Sequence, residues 1–205
     1  PHIRIIPYPW GVDTEFFRPS VPDESRNGGM LCLGNAYRDD ALLLDVVRTV
    51  RRPLVRVTQE ERILNFYRRA LQEDPSLAPL IRLCVRIDDQ SLRQELAQCR
   101  LVTLPILSVN EPAGLTVLLQ AMAMGKAAVV SEGLTAAGVV QDGVNGCVVP
   151  HSSAAFCQRI EELWHSPARC LILGLAARRH VEEYHTLQVC ADVVYAATAH
   201  PTLQP

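Results

Sequence analysis

CRLVTLPILSVNEPAGLTVLLQAMAMGKAAVVSEGL, residues 99–134, carries the reading of the fold. LVTLPI (101–106) is an apolar run of strand length, and the loop after it closes on Pro112 and Gly114. From there LTVLLQAMAM (115–124) reads as a helix that is apolar nearly all round, with Gly125 placed to end it. AAVVS (127–131) is a second apolar run of strand length. Strands without polar alternation are covered on both faces, so this strand–helix–strand unit predicts a parallel sheet between layers of helices.

The same alternation extends in both directions. MLCLG (30–34) precedes a helical pattern in Leu42, Leu43, Val46, Val47 and Val50. PLVRV (53–57) precedes an amphipathic stretch with Ile63, Leu64, Tyr67 and Leu71 at helical spacing. IRLCVRI (81–87) and SLRQELAQC (91–99) supply a third strand and a short helix, and GCVVP (146–150) a sixth strand. Residues 152–199 read as two or three helices with no strand between them. The opening, PHIRIIPYPWGVDTEFFRPS (1–20), places a strand edge at Ile3, Ile5 and Ile6 ahead of a connector, and polar, Gly-rich 21–29 is a loop. The expectation is an α/β fold, a doubly wound parallel six-stranded sheet flanked by helices with extra helices at its C-terminal end. Residues 1–29 form a connector and loop, 30–184 the domain, and 185–205 a closing helix and tail.

Composition narrows the function. Apolar residues are 48% of the 205 and aromatic ones only 5%, so the core is aliphatic. A formal net charge of −2 provides no basic field for a nucleic-acid backbone or an anionic membrane, so any anion is held locally. The seven cysteines show no metal-ligand spacing, and they read as small buried side chains in a reducing compartment. No apolar run reaches the length of a membrane span and no leader is recognised, which points to the cytoplasm. The start at Pro1 rather than Met predicts a piece of a longer protein. The six histidines, His2, His151, His165, His180, His185 and His200, are expected on the surface, away from the loops below.

Ligands of such sheets bind where the strands end and helices begin. ILSVNEPAGLT (106–116) offers the amides of Gly114, Leu115 and Thr116 and a hydroxyl at a helix N-terminus, a natural anion site. The alternative is that Gly and Pro only shape the helix entry. GNAYRDD (34–40) places Gly34 at a strand end and Arg38 four residues on, and a guanidinium matches phosphate oxygens. The alternative there is a surface pair with Asp39 or Asp40. No G-x-G-x-x-G, Walker or G-x-S-x-G run occurs, and no metal is called for.

Together these segments resemble the C-terminal, donor-binding domain of a retaining glycosyltransferase of the "glycosyl transferases group 1" family, one Rossmann-like half of a GT-B fold. IIPYPWGVDTEFFRP is similar to that family's IPNGVDxxxFxP entry, and LCLGNAYRDDALLL to its Gly-containing phosphate loop. The 99–134 stretch resembles the segment with its paired acids, DGVNGCVVP its DGxNGxLVP strand, and ARRHVEEYHTLQVCADVVY its closing helices. The resemblance implies that Gly34 and Asn35 approach the diphosphate, that Arg38 binds and neutralises it, and that Arg86 and Ile87 meet the nucleobase. It implies further that Glu111, Pro112, Ala113 and Gly114 face the donor sugar, that Leu115 and Thr116 hold the β-phosphate, and that Gln120 contacts the ribose. Glu111 and Arg38 are then the catalytic pair. Asn35 stands where the family has Arg, Gln120 where it has its second acid, and Pro112 at the spacing of its first.

The function implied is the nucleotide-diphosphate-sugar-binding half of a metal-independent, retaining enzyme that transfers a hexose-type sugar, with no cofactor. The acceptor-binding N-terminal domain, absent from this chain, is an expected partner in cis, and through it a peripheral membrane contact is open; alone, the chain is expected to be inactive. A degenerate nucleotide-sugar-binding or scaffolding domain and, more weakly, a sugar-nucleotide epimerase are the alternatives.

Overall fold

The computed structural model describes residues 7–19, 28–107 and 110–199. The strand edge expected at Ile3, Ile5 and Ile6 and most of loop 21–29 lie outside them. Six strands form one sheet: β1 (Met30–Leu33), β2 (Leu54–Thr58), β3 (Ile81–Val85), β4 (Leu101–Leu104), β5 (Ala127–Ser131) and β6 (Cys147–Val149). Their spatial order is β3-β2-β1-β4-β5-β6, and every pairing is parallel. The expected architecture is the one observed. The order reverses between β1 and β4, where Met30 is paired with Leu54 on one side and Leu101 on the other. That reversal opens the crevice in which such sheets hold ligands.

Seven helices are present among the described residues: α1 (Asp40–Val50), α2 (Glu61–Glu73), α3 (Asp89–Gln98), α4 (Leu115–Ala123), α5 (Ser153–Trp164), α6 (Pro167–Tyr184) and α7 (Leu187–Ala199). Alternate residues of each strand face opposite sides. Met30 and Cys32 of β1 pack with Leu43 and Val47 of α1, Tyr67 of α2 and Phe156 of α5. Leu31 and Leu33 pack with Leu96 of α3 and Leu118 and Met122 of α4. Both faces are apolar because both are covered. Five cysteines, Cys32, Cys99, Cys147, Cys170 and Cys190, are buried, and Cys84 and Cys157 are half-buried.

Local chemistry sets the strand ends at the crevice. β4 stops before Pro105, which has no N–H for the ladder. β3 stops two residues short of the run read as strand because Arg86 turns out of extended geometry with φ 51°. α1 starts where the Asp39 carboxylate accepts the Leu42 N–H at 2.9 Å.

The connector is fastened to the last two helices. Val12 N–H donates to the His185 carbonyl at 2.9 Å, and Nδ1 of His185 donates to the Trp10 carbonyl at 2.9 Å. The Cys190 thiol lies 3.0 Å from the Pro9 carbonyl. The Arg178 guanidinium reaches the carbonyls of Thr14, Phe17 and Ala123. Among the described residues no helix is long and apolar enough to cross a membrane.

Candidate functional site

The site is built from the segments that leave β1, β3 and β4. α4 begins on Gly114, whose φ of 84° is left-handed and which has no side chain to cap the helix. The Leu115 amide is engaged, 3.3 Å from the Pro112 carbonyl. The amides of Thr116 and Val117 have no acceptor among the described residues. These two N–H groups stand at the positive end of the helix dipole and are chemically suited to an anion. The Thr116 hydroxyl stands beside them and accepts from the Trp10 indole N–H at 3.0 Å.

Arg38 lies across this helix start. It is 7% exposed, so it is not a surface residue, and its neighbours Asp39 and Asp40 are engaged elsewhere. Its Nε donates to the Leu33 carbonyl at 3.1 Å and its Nη1 to Ala36 at 2.9 Å. Among the described residues no carboxylate pairs with it. Burial pushes its pKa below the ordinary arginine value, though it stays fully cationic at neutral pH. The guanidinium is wedged between Gly34 and Gly114, which brings the loop after β1 and the α4 N-terminus to one point.

A second arginine, which sequence reasoning did not single out, holds the loop in place. Arg56 is fully buried at the centre of β2 and grips Asp40 through Nε at 2.7 Å and Nη2 at 3.1 Å. Its Nη1 donates to the Gly34 carbonyl at 2.9 Å, and the Tyr67 hydroxyl donates to Asp40 at 2.9 Å. Burial opposes the charge of Arg56, yet neighbouring Cys32, the hydrogen-bonded Asp40 carboxylate and Tyr67 together outweigh it and hold the pKa above its ordinary value. The network leaves the Gly34 carbonyl satisfied and the loop with one geometry.

Gly34, Asn35, Arg86, Ile87 and Gln120 line a single cavity of about 220 Å³, closed by Leu33, Val57, Thr58, Gln59, Leu92 and Val117. It lies at the carboxyl ends of β1, β2 and β3 and along α4. The Thr58 hydroxyl donates to Asn35 Oδ1 at 2.7 Å, which turns the Asn35 amide N–H groups outward as donors. Five expected residues thus share one cavity, and Arg38, Gly114 and Thr116 lie outside its lining, at the start of α4 next to its Gly34 and Val117.

Glu111 stands apart from that cavity. It is exposed and accepts a hydrogen bond from the Tyr37 phenol, which pushes the Tyr37 pKa above its ordinary value. Pro112 is exposed beside it and Ala113 is buried, its carbonyl accepting from Thr135 Oγ1 at 2.7 Å. The two loops are tied across by Leu107 N–H to the Tyr37 carbonyl at 2.9 Å.

Among the described residues, which do not include His2 and His200, the surface expectation for the histidines fails at three positions, one of them the half-buried His180 of α6. His185 is buried under the connector. His151, just beyond β6, bridges Ser131 Oγ at 3.0 Å and Asp39 Oδ2 at 3.0 Å. Parallel strands bring the ends of β5, β6 and the start of α1 together although the residues are far apart in sequence. The Ser131 hydroxyl accepts from Ile106 N–H at 3.0 Å, so the chain Asp39–His151–Ser131 buttresses both site loops from behind. Burial would raise the Asp39 pKa, but the Leu42 amide and His151 outweigh it and hold it below the usual carboxylate value.

Comparison with known proteins bears on what this crevice belongs to. A family model described as "Glycosyl transferases group 1" matches residues 29–166. The "Putative glycosyltransferase EpsD" of Bacillus subtilis (strain 168) is 33% identical over 93 residues, 43% of this chain and 24% of that protein. Among solved structures, sucrose-phosphate synthase from Thermosynechococcus elongatus superposes with a TM-score of 0.78 at 16% identity, covering 94% of this chain and 51% of that one. Anabaena HepE in complex with UDP-glucose gives 0.76 at 16% identity, over 93% of this chain and 56% of that one. The C-terminal domain of the group 1 glycosyl transferase family protein LpcC from Francisella tularensis gives 0.73 at 18% identity, over 87% of this chain and 100% of that one. The chain therefore spans about a quarter of that curated relative and about half of the two longer structures. The match over most of the crevice-forming sequence settles kinship: this chain belongs to the glycosyl transferases group 1 family.

Proposed function

We propose that the chain is the donor-binding half of a retaining, metal-independent glycosyltransferase and takes a nucleoside-diphosphate sugar of the hexose type. The observation that carries this reading is that the buried Arg38 guanidinium and the open amides of α4 meet beside Gly34 and Val117, two residues that line the cavity. A diphosphate there meets a cation and two amides. A base and ribose fit the cavity, beside Arg86, Ile87 and Gln120.

Breaking a sugar–phosphate bond leaves negative charge on the diphosphate, and donors already fixed in place stabilise that charge most as it grows. Arg38 and the Thr116 and Val117 amides fill this role without a metal. Glu111, held by Tyr37 on the loop before α4, is the group nearest in sequence to the helix start that offers a carboxylate to a donor sugar. Acceptor binding belongs to a domain outside this chain, so the chain alone binds donor but does not turn it over. The cytoplasm, where nucleotide sugars are met in a reducing setting, fits the buried and half-buried cysteines of this reading.

The test is calorimetric titration with UDP, GDP, ADP and TDP in EDTA. Binding of one diphosphate above the others supports the reading and names the base. A folded chain that binds none of them overturns it and favours the degenerate scaffold, to which Gln120 and Pro112 at the family's acidic positions lend weight.

A further inference from the structure

We propose that Trp10 is a positioning residue that sets the direction of the Thr116 hydroxyl and so couples the connector to the phosphate end of the site. The inference rests on the donor-site reading above. The indole Nε1 of Trp10 lies 3.0 Å from Thr116 Oγ1. An indole N–H only donates, so the Thr116 oxygen is the acceptor and its own proton points elsewhere. Thr116 is the second residue of α4, and its backbone amide and that of Val117 have no acceptor among the described residues. With one of the oxygen's two lone pairs taken by Trp10, the O–H is directed away from the indole and stands as a third donor beside those two amides. Arg38, pressed against Gly114 from the opposite side, completes the donor set.

Trp10 is itself held. Its carbonyl accepts from His185 Nδ1 at 2.9 Å, and Val12, two residues on, donates to the His185 carbonyl at 2.9 Å. The indole is half exposed, so packing alone does not fix it, and among the described residues its ring N–H donates to Thr116. A ligand that draws on the Thr116 hydroxyl therefore changes the surroundings of an indole on the connector. The chain has two tryptophans, and the other, Trp164, is stacked under Arg52 and Arg100 at the end of α5, away from the crevice.

The experiment uses the full chain and the nucleoside diphosphate that binds it best of UDP, GDP, ADP and TDP. Trp10→Phe keeps the ring and removes the N–H. It is expected to weaken diphosphate binding by about fivefold, the effect of one hydrogen bond, and to leave binding of the parent nucleoside unchanged. Thr116→Val is expected to do at least as much, Thr116→Ser to restore binding, and Trp10→Phe to add nothing in the Thr116→Val background. Independently, in a Trp164→Phe chain the emission of Trp10 is expected to shift on diphosphate and not on nucleoside. Wild-type diphosphate affinity in Trp10→Phe, or equal loss for diphosphate and nucleoside, overturns the assignment while the donor-site reading stands. No diphosphate binding by the wild-type chain, together with a silent Trp10 emission, overturns both.

Discussion

Arg38 and Gly114 are in such close contact that a Cβ built on the glycine would stand 2.4 Å from Nη2 of the arginine. A Cβ on Gly34 would stand 2.8 Å from the same atom. The guanidinium thus occupies a slot that exists because two positions, one on each loop, lack side chains. Gly114→Ala has to displace Arg38 and also hold a left-handed φ, a strain of about 1–3 kcal/mol. The expected outcome is a chain that is less stable by about that amount in urea titration and that binds nucleoside diphosphate at least tenfold more weakly.

Arg38→Ala separates phosphate from base recognition. A hydrogen bond to a charged group contributes about 1.5–3 kcal/mol, so diphosphate affinity is expected to fall by one to two orders of magnitude. Nucleoside affinity, measured in the same calorimeter, is expected to hold. Equal loss of both would make Arg38 a structural residue only.

The Arg56–Asp40–Tyr67 network is the costliest to break. Asp40→Asn leaves a fully buried guanidinium without its counter-charge and is expected to lower unfolding free energy by about 3–5 kcal/mol. Tyr67→Phe removes one hydrogen bond while keeping the packed ring, at a cost of about 1 kcal/mol. Denaturant midpoints of the two variants check the ranking.

Asp39 gives the stability a pH dependence of known sign. Its folded pKa lies below the unfolded value, so its contribution is complete at neutral pH and disappears as pH falls through the folded pKa. Asn caps a helix as well as Asp, so Asp39→Asn isolates the bond to His151. The variant is expected to be less stable than wild type by about 0.5–1 kcal/mol at neutral pH and to converge with it in acid, once pH has fallen below the lowered folded pKa. A stability gap that persists in acid would contradict this.

Burial pushes the Cys147 thiol up to about 11. At pH 8 it is almost wholly protonated, so native-state alkylation is expected to spare Cys147 and to reach half-buried Cys84 and Cys157 first. Peptide mapping after brief iodoacetamide treatment reads the order.

The sheet was legible in the sequence because continuous apolar runs such as AAVVS leave no polar face, and the helices because Leu43, Val47 and Val50 repeat at helical spacing. Gly34 was legible because it ends a strand, whereas Arg86, just past β3, and Gln120, within α4, were reached through the family resemblance. Arg56 was not legible. One arginine in LVRVT reads as the exposed face of a half-buried strand, and its partner Asp40 is on another element, with nothing local to join them. His151 escaped for a related reason: its closeness to Asp39 exists only once β5 and β6 are laid beside β4. Periodicity reports burial well, but a polar contact across elements leaves no periodic trace.

The fastening of residues 9–12 to 185–190 has one more outcome. The segment that enters the domain and the helix that leaves it are a single mechanical joint, with Gly11 so near Cys190 that a Cβ there would meet the sulfur at 2.6 Å. Cutting α7 away would loosen the entering segment as surely as cutting that segment itself. Any displacement of residues 9–12 therefore pulls on α7 as well.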